Sequence, residues 1–233
     1  MASENPNRQS QVLSIFVRLG LVKRKECWVV TGAVKAVICS FLVVSIFVGC
    51  RKANRFLCVN EPVQGEILIV EGWIPERSLK SAMAEFNSGK YRLLVTAGVP
   101  VPDESCLKGY ATFADVGAAA MIKLGARPDT VVPVPAPSTQ KDRTFIAARA
   151  VGDWLRANKS DVRAVNVLTW GPHARRTRLL YQRALGTKIT VGVLSTQDED
   201  YDQERWWSSS AGVRTVVGET IAYLYACCFS SEE

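Results

Sequence analysis

The feature that most constrains this chain is a regular alternation of two kinds of segment after residue 65. Short apolar runs rich in β-branched residues lie at Glu66–Val70, Tyr91–Thr96, Thr130–Val134, Ala164–Thr169 and Lys188–Leu194. Segments with helical periodicity separate them, at Glu76–Ser88, Lys108–Leu124, Lys141–Ala157 and His173–Leu185, and a further helix is expected over Val213–Cys228. In the first of these, Leu79, Met83 and Phe86 fall on one face, as a half-buried helix requires. Strands separated by helix-length connections cannot pair as hairpins. They pair in parallel, with the helices covering both faces of the sheet. The expectation is an α/β domain over residues 65–228 with a parallel sheet of about five strands.

A different kind of segment precedes this domain. Trp28–Gly49 is 22 residues long and carries one charge, Lys35; from Ala36 to Gly49 no polar face is present. That length and composition predict a transmembrane helix. Residues 1–27 form a polar and basic tail containing Lys23-Arg24-Lys25, and residues 50–64 read as a linker. Five Lys/Arg lie shortly before the span and three after it (Arg51, Lys52, Arg55). That bias places the tail in the cytoplasm and the domain on the outer side of a single-pass anchor.

The basic excess belongs to this first part. The chain has a formal charge of +7; residues 1–55 hold nine Lys/Arg against two Asp/Glu, whereas residues 56–233 hold twenty of each. A nucleic-acid binder needs its excess on the folded domain, so no nucleic-acid partner is expected. The seven cysteines have no CxxC spacing and there is a single histidine, so no metal site is expected. One disulfide among Cys58, Cys106, Cys227 and Cys228 stays open at this level, as does the oligomeric state.

Val165–Gly186 carries the densest chemical signal. A buried strand ends at Thr169-Trp170, Gly171-Pro172 breaks it, and the next helix opens with His173, Arg175, Arg176 and Arg178. The amino end of a helix is the positive end of its dipole and ordinarily takes acidic residues. Two readings compete. One is a solvated basic face. The other is an anion site in which unpaired N–H groups and guanidinium groups converge on a phosphate or carboxylate. The location favours the second, because open α/β sheets bind ligands beyond the carboxyl ends of their strands. On that reading His173 is a proton donor or general acid/base, with Glu71 or Asp115 as its acidic partner, and Arg176 and Arg143 clamp the anion. The other strand ends would line the same rim: Glu71-Gly72, Thr96-Ala97-Gly98 and Ser138–Thr144, with glycines allowing close backbone approach. The acidic loop Ser195–Glu204, followed by Trp206-Trp207, reads as a solvated edge; its alternatives are a lid over the basic site or a belt resting on a membrane.

These pieces resemble the YdcF-like (SanA–ElyC) family over roughly residues 65–226. The resemblance is most specific at Val167-Leu168-Thr169 followed by His173-Ala174-Arg175-Arg176, where the family has a strand ending in Val-Thr-Ser and then His-x-x-Arg. Glu71-Gly72 stands where the family has a run of glycines, and Thr96-Ala97-Gly98 where it has Ser-Gly-Gly. Asp115 takes the place of a glutamate opening the second helix, and Thr144 matches the threonine of Thr-x-Glu-Asn-Ala. The chain departs at Ile146-Ala147 (for Glu-Asn), at Trp170 (for Ser) and at Trp73 (for Gly). The resemblance implies a Rossmann-like domain behind one transmembrane helix, a role in envelope or cell-wall maintenance, and an anionic ligand. By resemblance that ligand would be nucleotide-like or S-adenosylmethionine-like; the anion-site reading of the residues adds a lipid-linked phosphate or headgroup. The family has no settled reaction; on the anion-site reading His173 and Glu71 are the catalytic residues, and Gly72, Thr96, Gly98, Asp115, Arg143, Thr144, Thr169 and Arg176 contact the ligand. A non-catalytic, tethered interaction domain is the alternative, and the loss of Glu-Asn favours it.

Overall fold

A computed structural model describes residues 18, 31–102, 105, 107 and 109–229. The basic tail including Lys23–Lys25, the first three residues of the expected span, Cys106, and the expected helix start at Lys108 lie outside the described residues. The chain divides into two compact units, Met1–Phe47 and Val48–Glu233.

Helix α1 (Gly32–Leu57) contains the apolar run. It is long and apolar enough to cross a membrane, and none of its most apolar 18-residue stretch is buried. At 1.5 Å per residue its 26 residues extend about 39 Å. The expected linker therefore begins later than residue 50. Cys50–Leu57 contains no Gly or Pro to stop the helix, and its last turns bury Asn54 and Leu57 in the second unit.

The second unit holds a five-stranded, wholly parallel sheet: β1 (Ile67–Glu71), β2 (Leu93–Gly98), β3 (Val131–Pro135), β4 (Ala164–Trp170) and β5 (Thr190–Thr196), in the order β3-β2-β1-β4-β5. Ile67 stands opposite Leu93 on one side and Val165 on the other. The helices are α2 (Glu76–Phe86), α3 (Phe113–Lys123), α4 (Arg143–Asn158), α5 (Ala174–Leu185) and α6 (Ser210–Phe229). Each strand sends alternate side chains to opposite faces. Ile67, Ile69, Val95, Val165, Val167 and Val191 pack with residues of α4 and α5, among them Val151, Leu155, Tyr181 and Leu185. Leu68, Val70, Leu94 and Leu168 pack with Leu79, Ala82 and Met83 of α2 and Met121 of α3. Helices thus cover both faces, as the alternation requires.

One strand residue breaks the apolar pattern. Asn166 is buried, and its amide replaces the missing ladder partner for a neighbouring segment: Oδ1 accepts from Val63 N at 2.8 Å, and Nδ2 donates to Val63 O at 2.8 Å and to Tyr91 Oη at 3.1 Å. Its polar atoms are satisfied, so its burial is tolerated.

The strand order reverses between β1, whose connection leads to β2, and β4, which lies on the opposite side of β1. At such a switch point the two flanking helices diverge and leave a crevice at the carboxyl ends of the strands.

Candidate functional site

A cleft of about 680 Å³ opens there. Its wall includes Glu71 at the end of β1, Gly98 at the end of β2, Arg143 and Thr144 at the start of α4, His173, Arg176 from α5 and Glu219 from α6.

Glu71 is the last residue of β1 and is 2% exposed. Three groups surround its carboxylate. Thr169 donates its hydroxyl to Oε2 from the end of β4, Thr177 Oγ1 lies at 3.4 Å, and His173 Nε2 at 3.6 Å. Burial raises the pKa of this carboxyl, but the His173 charge and the hydroxyl of Thr169 outweigh it and hold Glu71 below the usual carboxylate range.

His173 closes a single 3₁₀ turn, Gly171–His173, that joins β4 to α5. Gly171 takes φ +51°, a left-handed conformation that favours glycine, and Pro172 needs no N–H partner in this turn. The turn carries the imidazole inward, where it is 6% exposed. The indole of Trp73 stands edge-on to it at 5.0 Å. Nδ1 lies 3.1 Å from Glu219 Oε1 and 2.9 Å from Arg176 Nη2. One ring nitrogen cannot both donate to the first and accept from the second. With a carboxylate facing each nitrogen, the imidazolium is the favoured form, and Nδ1–H donates to Glu219. Burial lowers the His173 pKa, and Glu71 and Glu219 more than reverse it, bringing it up to about 8.

Arg176 completes the group through a two-pronged pair with Glu219: Nε to Oε2 at 3.0 Å and Nη2 to Oε1 at 3.0 Å. Burial raises the Glu219 pKa, and the bonds from His173 and Arg176 overcome it, bringing the carboxyl down to about 2. Two carboxylates face one imidazolium and one guanidinium, so the cluster is neutral at pH 7.

Within this cluster the His173 ring is used unequally. Nδ1 has a close carboxylate. Nε2 has only long contacts, Glu71 at 3.6 Å and Thr144 Oγ1 at 3.5 Å. Nε2–H is thus held toward Glu71 and Thr144 over longer distances than Nδ1–H toward Glu219. Lys141 and Arg143, both exposed, line the same cleft and have no carboxylate partner among the described residues.

Several sequence expectations require correction. The three arginines in the first two turns of α5 do not converge. Arg175 donates to the carbonyl of Phe56 and lies over its ring at 3.8 Å, and Arg178 pairs with Glu61. Only Arg176 faces the cleft. The basic start of α5 is thus offset largely by the chain's own carboxylates and carbonyls. Asp115 is not the acidic partner of His173: it forms a capping box with Thr112 at the start of α3, accepting from Thr112 N at 2.9 Å. Thr96 is fully buried and donates to Ala114 O at 2.8 Å, fastening α3 to β2. Gly72 serves packing: a Cβ there would stand 1.9 Å from Phe113 O. Thr169 acts on Glu71 from within the core and does not line the cleft. His173, Glu71, Gly98, Arg143, Thr144 and Arg176 do line it.

Glu219 was not anticipated. Its signal is a lone carboxylate in a helix whose only other charge is Arg214. In the acidic loop Asp200 pairs with Arg77 at 2.6 Å and Asp202 caps the following turn at Glu204 and Arg205; neither lines the cleft. Cys58, Cys227 and Cys228 are free thiols.

No protein-family model matches the chain, and no curated protein sequence matches it.

Proposed function

We propose that this is a membrane-anchored domain of the YdcF-like (SanA–ElyC) kind that binds a small anionic ligand in the cleft at the carboxyl ends of β1, β2 and β4. The observation that carries the reading is the make-up of the cleft wall: His173, whose Nε2 has only the longer contacts to Glu71 and Thr144, lies in it together with the exposed cations Lys141 and Arg143. A phosphate or carboxylate oxygen at Nε2 would gain a charge-assisted hydrogen bond, and the two rim cations would add attraction. Glu71 lies too deep to meet the ligand first. Its work is to keep the imidazole charged and turned. The apolar wall offered by Trp73 and Phe113 suits a ligand with a flat or greasy part beside its anionic group. S-adenosylmethionine, a nucleotide and a lipid-linked phosphate all meet that description.

In this arrangement His173 is a ready acid, since its proton is held at Nε2 and Nδ1 is anchored by Glu219. It is a poor base near pH 7, because both nitrogens carry protons. Envelope or cell-wall maintenance, with the tail in the cytoplasm and the domain outside, is the setting that the family resemblance and the flanking basic residues support.

The test is calorimetric titration of the full chain in detergent micelles with inorganic phosphate, a nucleoside diphosphate and S-adenosylmethionine in turn. Binding of at least one of them that weakens about tenfold or more in His173→Gln, one charge-assisted bond being worth that much, is the expected result. Arg143→Gln should weaken it less. Lack of binding for all three, or binding indifferent to His173, would overturn the reading. A binding module without chemistry is separated from an enzyme by following the bound ligand by mass spectrometry: recovery unchanged after prolonged incubation marks the binding module.

A further inference from the structure

Helix α6 has two unlike faces. Val216, Glu219 and Ala226 turn toward the domain, and Glu219 walls the cleft. Val213, Val217, Ile221 and Leu224 turn away and are 41–63% exposed. Their spacing of four, four and three residues puts them in one stripe. No charged side chain interrupts it. Exposed apolar stripes of this kind mark contact with another apolar surface.

What borders the stripe identifies that surface. The 3₁₀ segment Gln203–Ser208 leads into α6 and carries two tryptophans. Trp206 is buried, and its Nε1 donates to Cys50 O at 3.0 Å. Trp207 is 38% exposed, with the guanidinium of Arg51 over its ring at 5.0 Å. Further along, Tyr223 meets Phe56 edge-on at 5.8 Å. These contacts fasten α6 and its leading turn to the last turns of α1. Cys50 directly follows the apolar run that ends at Gly49. Trp207 is therefore tied to the chain where that run ends, which is where tryptophan collects at membrane–water interfaces. Arg51, Lys52 and Arg55, just beyond the apolar run, and Arg214, next to Val213 at the start of α6, are all exposed.

We propose that the outer stripe of α6, with Trp207, is seated on the lipid surface as an interfacial helix, its cationic fringe meeting anionic headgroups. The proposal rests on α1 being the membrane anchor. A second copy of the chain fits the stripe less well. A two-fold pairing would bring each cationic fringe against its own image, whereas headgroups of opposite charge complement it. Because α6 also carries Glu219, the seated helix would be a wall of the cleft, and the cleft would work close to the headgroup layer.

The experiment uses the full chain in vesicles of phosphatidylcholine containing a minority of phosphatidylglycerol and a phosphatidylcholine with a photoactivatable diazirine on its acyl chain. After irradiation, lipid adducts are mapped by mass spectrometry. Adducts are expected on peptides spanning 206–229 as well as on the apolar run of α1. The Val217→Ser, Ile221→Ser double variant, altered only at exposed positions, should lose the first set and keep the second. Adducts confined to α1 in the wild-type chain would overturn the proposal. So would protein–protein cross-links joining the α6 helices of two chains without lipid adducts. Neither outcome depends on whether phosphate or a nucleotide binds in the cleft, so the two readings fail separately.

Discussion

Glu219→Gln removes one negative charge from the neutral cluster while keeping the side chain's size. The wild-type carboxyl falls from its ordinary 4.5 to about 2 in the folded protein. A change of that size corresponds to about 3 kcal/mol of stability near neutral pH. The amide can still accept one bond from Arg176, so the expected loss is about 2–3 kcal/mol, less than removal of a fully buried partner would cost. The pH dependence is more telling than the size. A carboxyl with a lowered pKa contributes fully above 4.5 and loses its contribution as pH falls toward 2. His173, raised from 6.5 to about 8, contributes fully below 6.5 and loses its contribution as pH rises through 8. Both contributions depend on Glu219. The stability difference between wild type and variant should therefore be greatest between about pH 5 and 6.5, and shrink on either side. Urea unfolding of the full chain in a mild detergent, followed by tryptophan fluorescence across that range, measures it. A difference below about 0.5 kcal/mol that does not change with pH would be ordinary for a surface position and would refute the coupling.

Two further substitutions test other joints of the site. Thr169→Val keeps the shape of a core residue but strips Glu71 of its closest donor; it should cost about 1–3 kcal/mol in the same unfolding assay and lower the affinity of any cleft ligand only slightly, because Thr169 does not line the cleft. Gly72→Ala puts a methyl group 1.9 Å from Phe113 O, where backbone must move; a loss of about 3 kcal/mol or failure to fold is expected, and a neutral effect would show that α3 is not seated on β1 as described.

The architecture was legible because its signals are local. Each strand is an apolar run that must be covered on both faces, and the intervening segments are too long for hairpins. The boundaries shifted where a specific contact decided them. Strand β2 starts at Leu93 and extends through Ala97-Gly98, where Gly98 pairs with Pro135 and lies against Phe113. Helix α3 begins at Phe113 because Thr112 and Asp115 cap it, a Thr-x-x-Asp signal present in the sequence. Helix α1 outruns the apolar segment because residues 50–57 are held by partners some 150 positions away, such as Tyr201 Oη on Asn54 at 2.7 Å and Trp206 on Cys50.

The site was half legible for the same reason. His173, Glu71 and Arg176 stand at the ends of adjacent parallel strands or just beyond them, so topology alone brings them together. Which arginine faces inward was not visible. Arg175 and Arg178 are drawn off by Phe56 and Glu61, more than a hundred residues earlier. Glu219 enters from a helix that packs on α5, and nothing near it in sequence indicates that it meets the His173 ring from the side opposite Glu71. The convergence of basic groups was real as a pattern, but most of its compensation comes from within the chain. The proposed anion finds one imidazolium proton and two rim cations.

His173 is the only histidine in the chain, so it can be observed alone. The most direct measurement is an NMR titration of the full chain in detergent micelles with isotopically labelled histidine, following the ring nitrogens from acid to alkaline pH. A midpoint near 8, with Nδ1 and Nε2 both protonated at pH 7, is what a ring between Glu71 and Glu219 should give. A midpoint at or below the ordinary 6.5, with one nitrogen bare at pH 7, would mean that the two carboxylates do not hold the ring charged. The donor on which the proposed ligand site depends would then be absent.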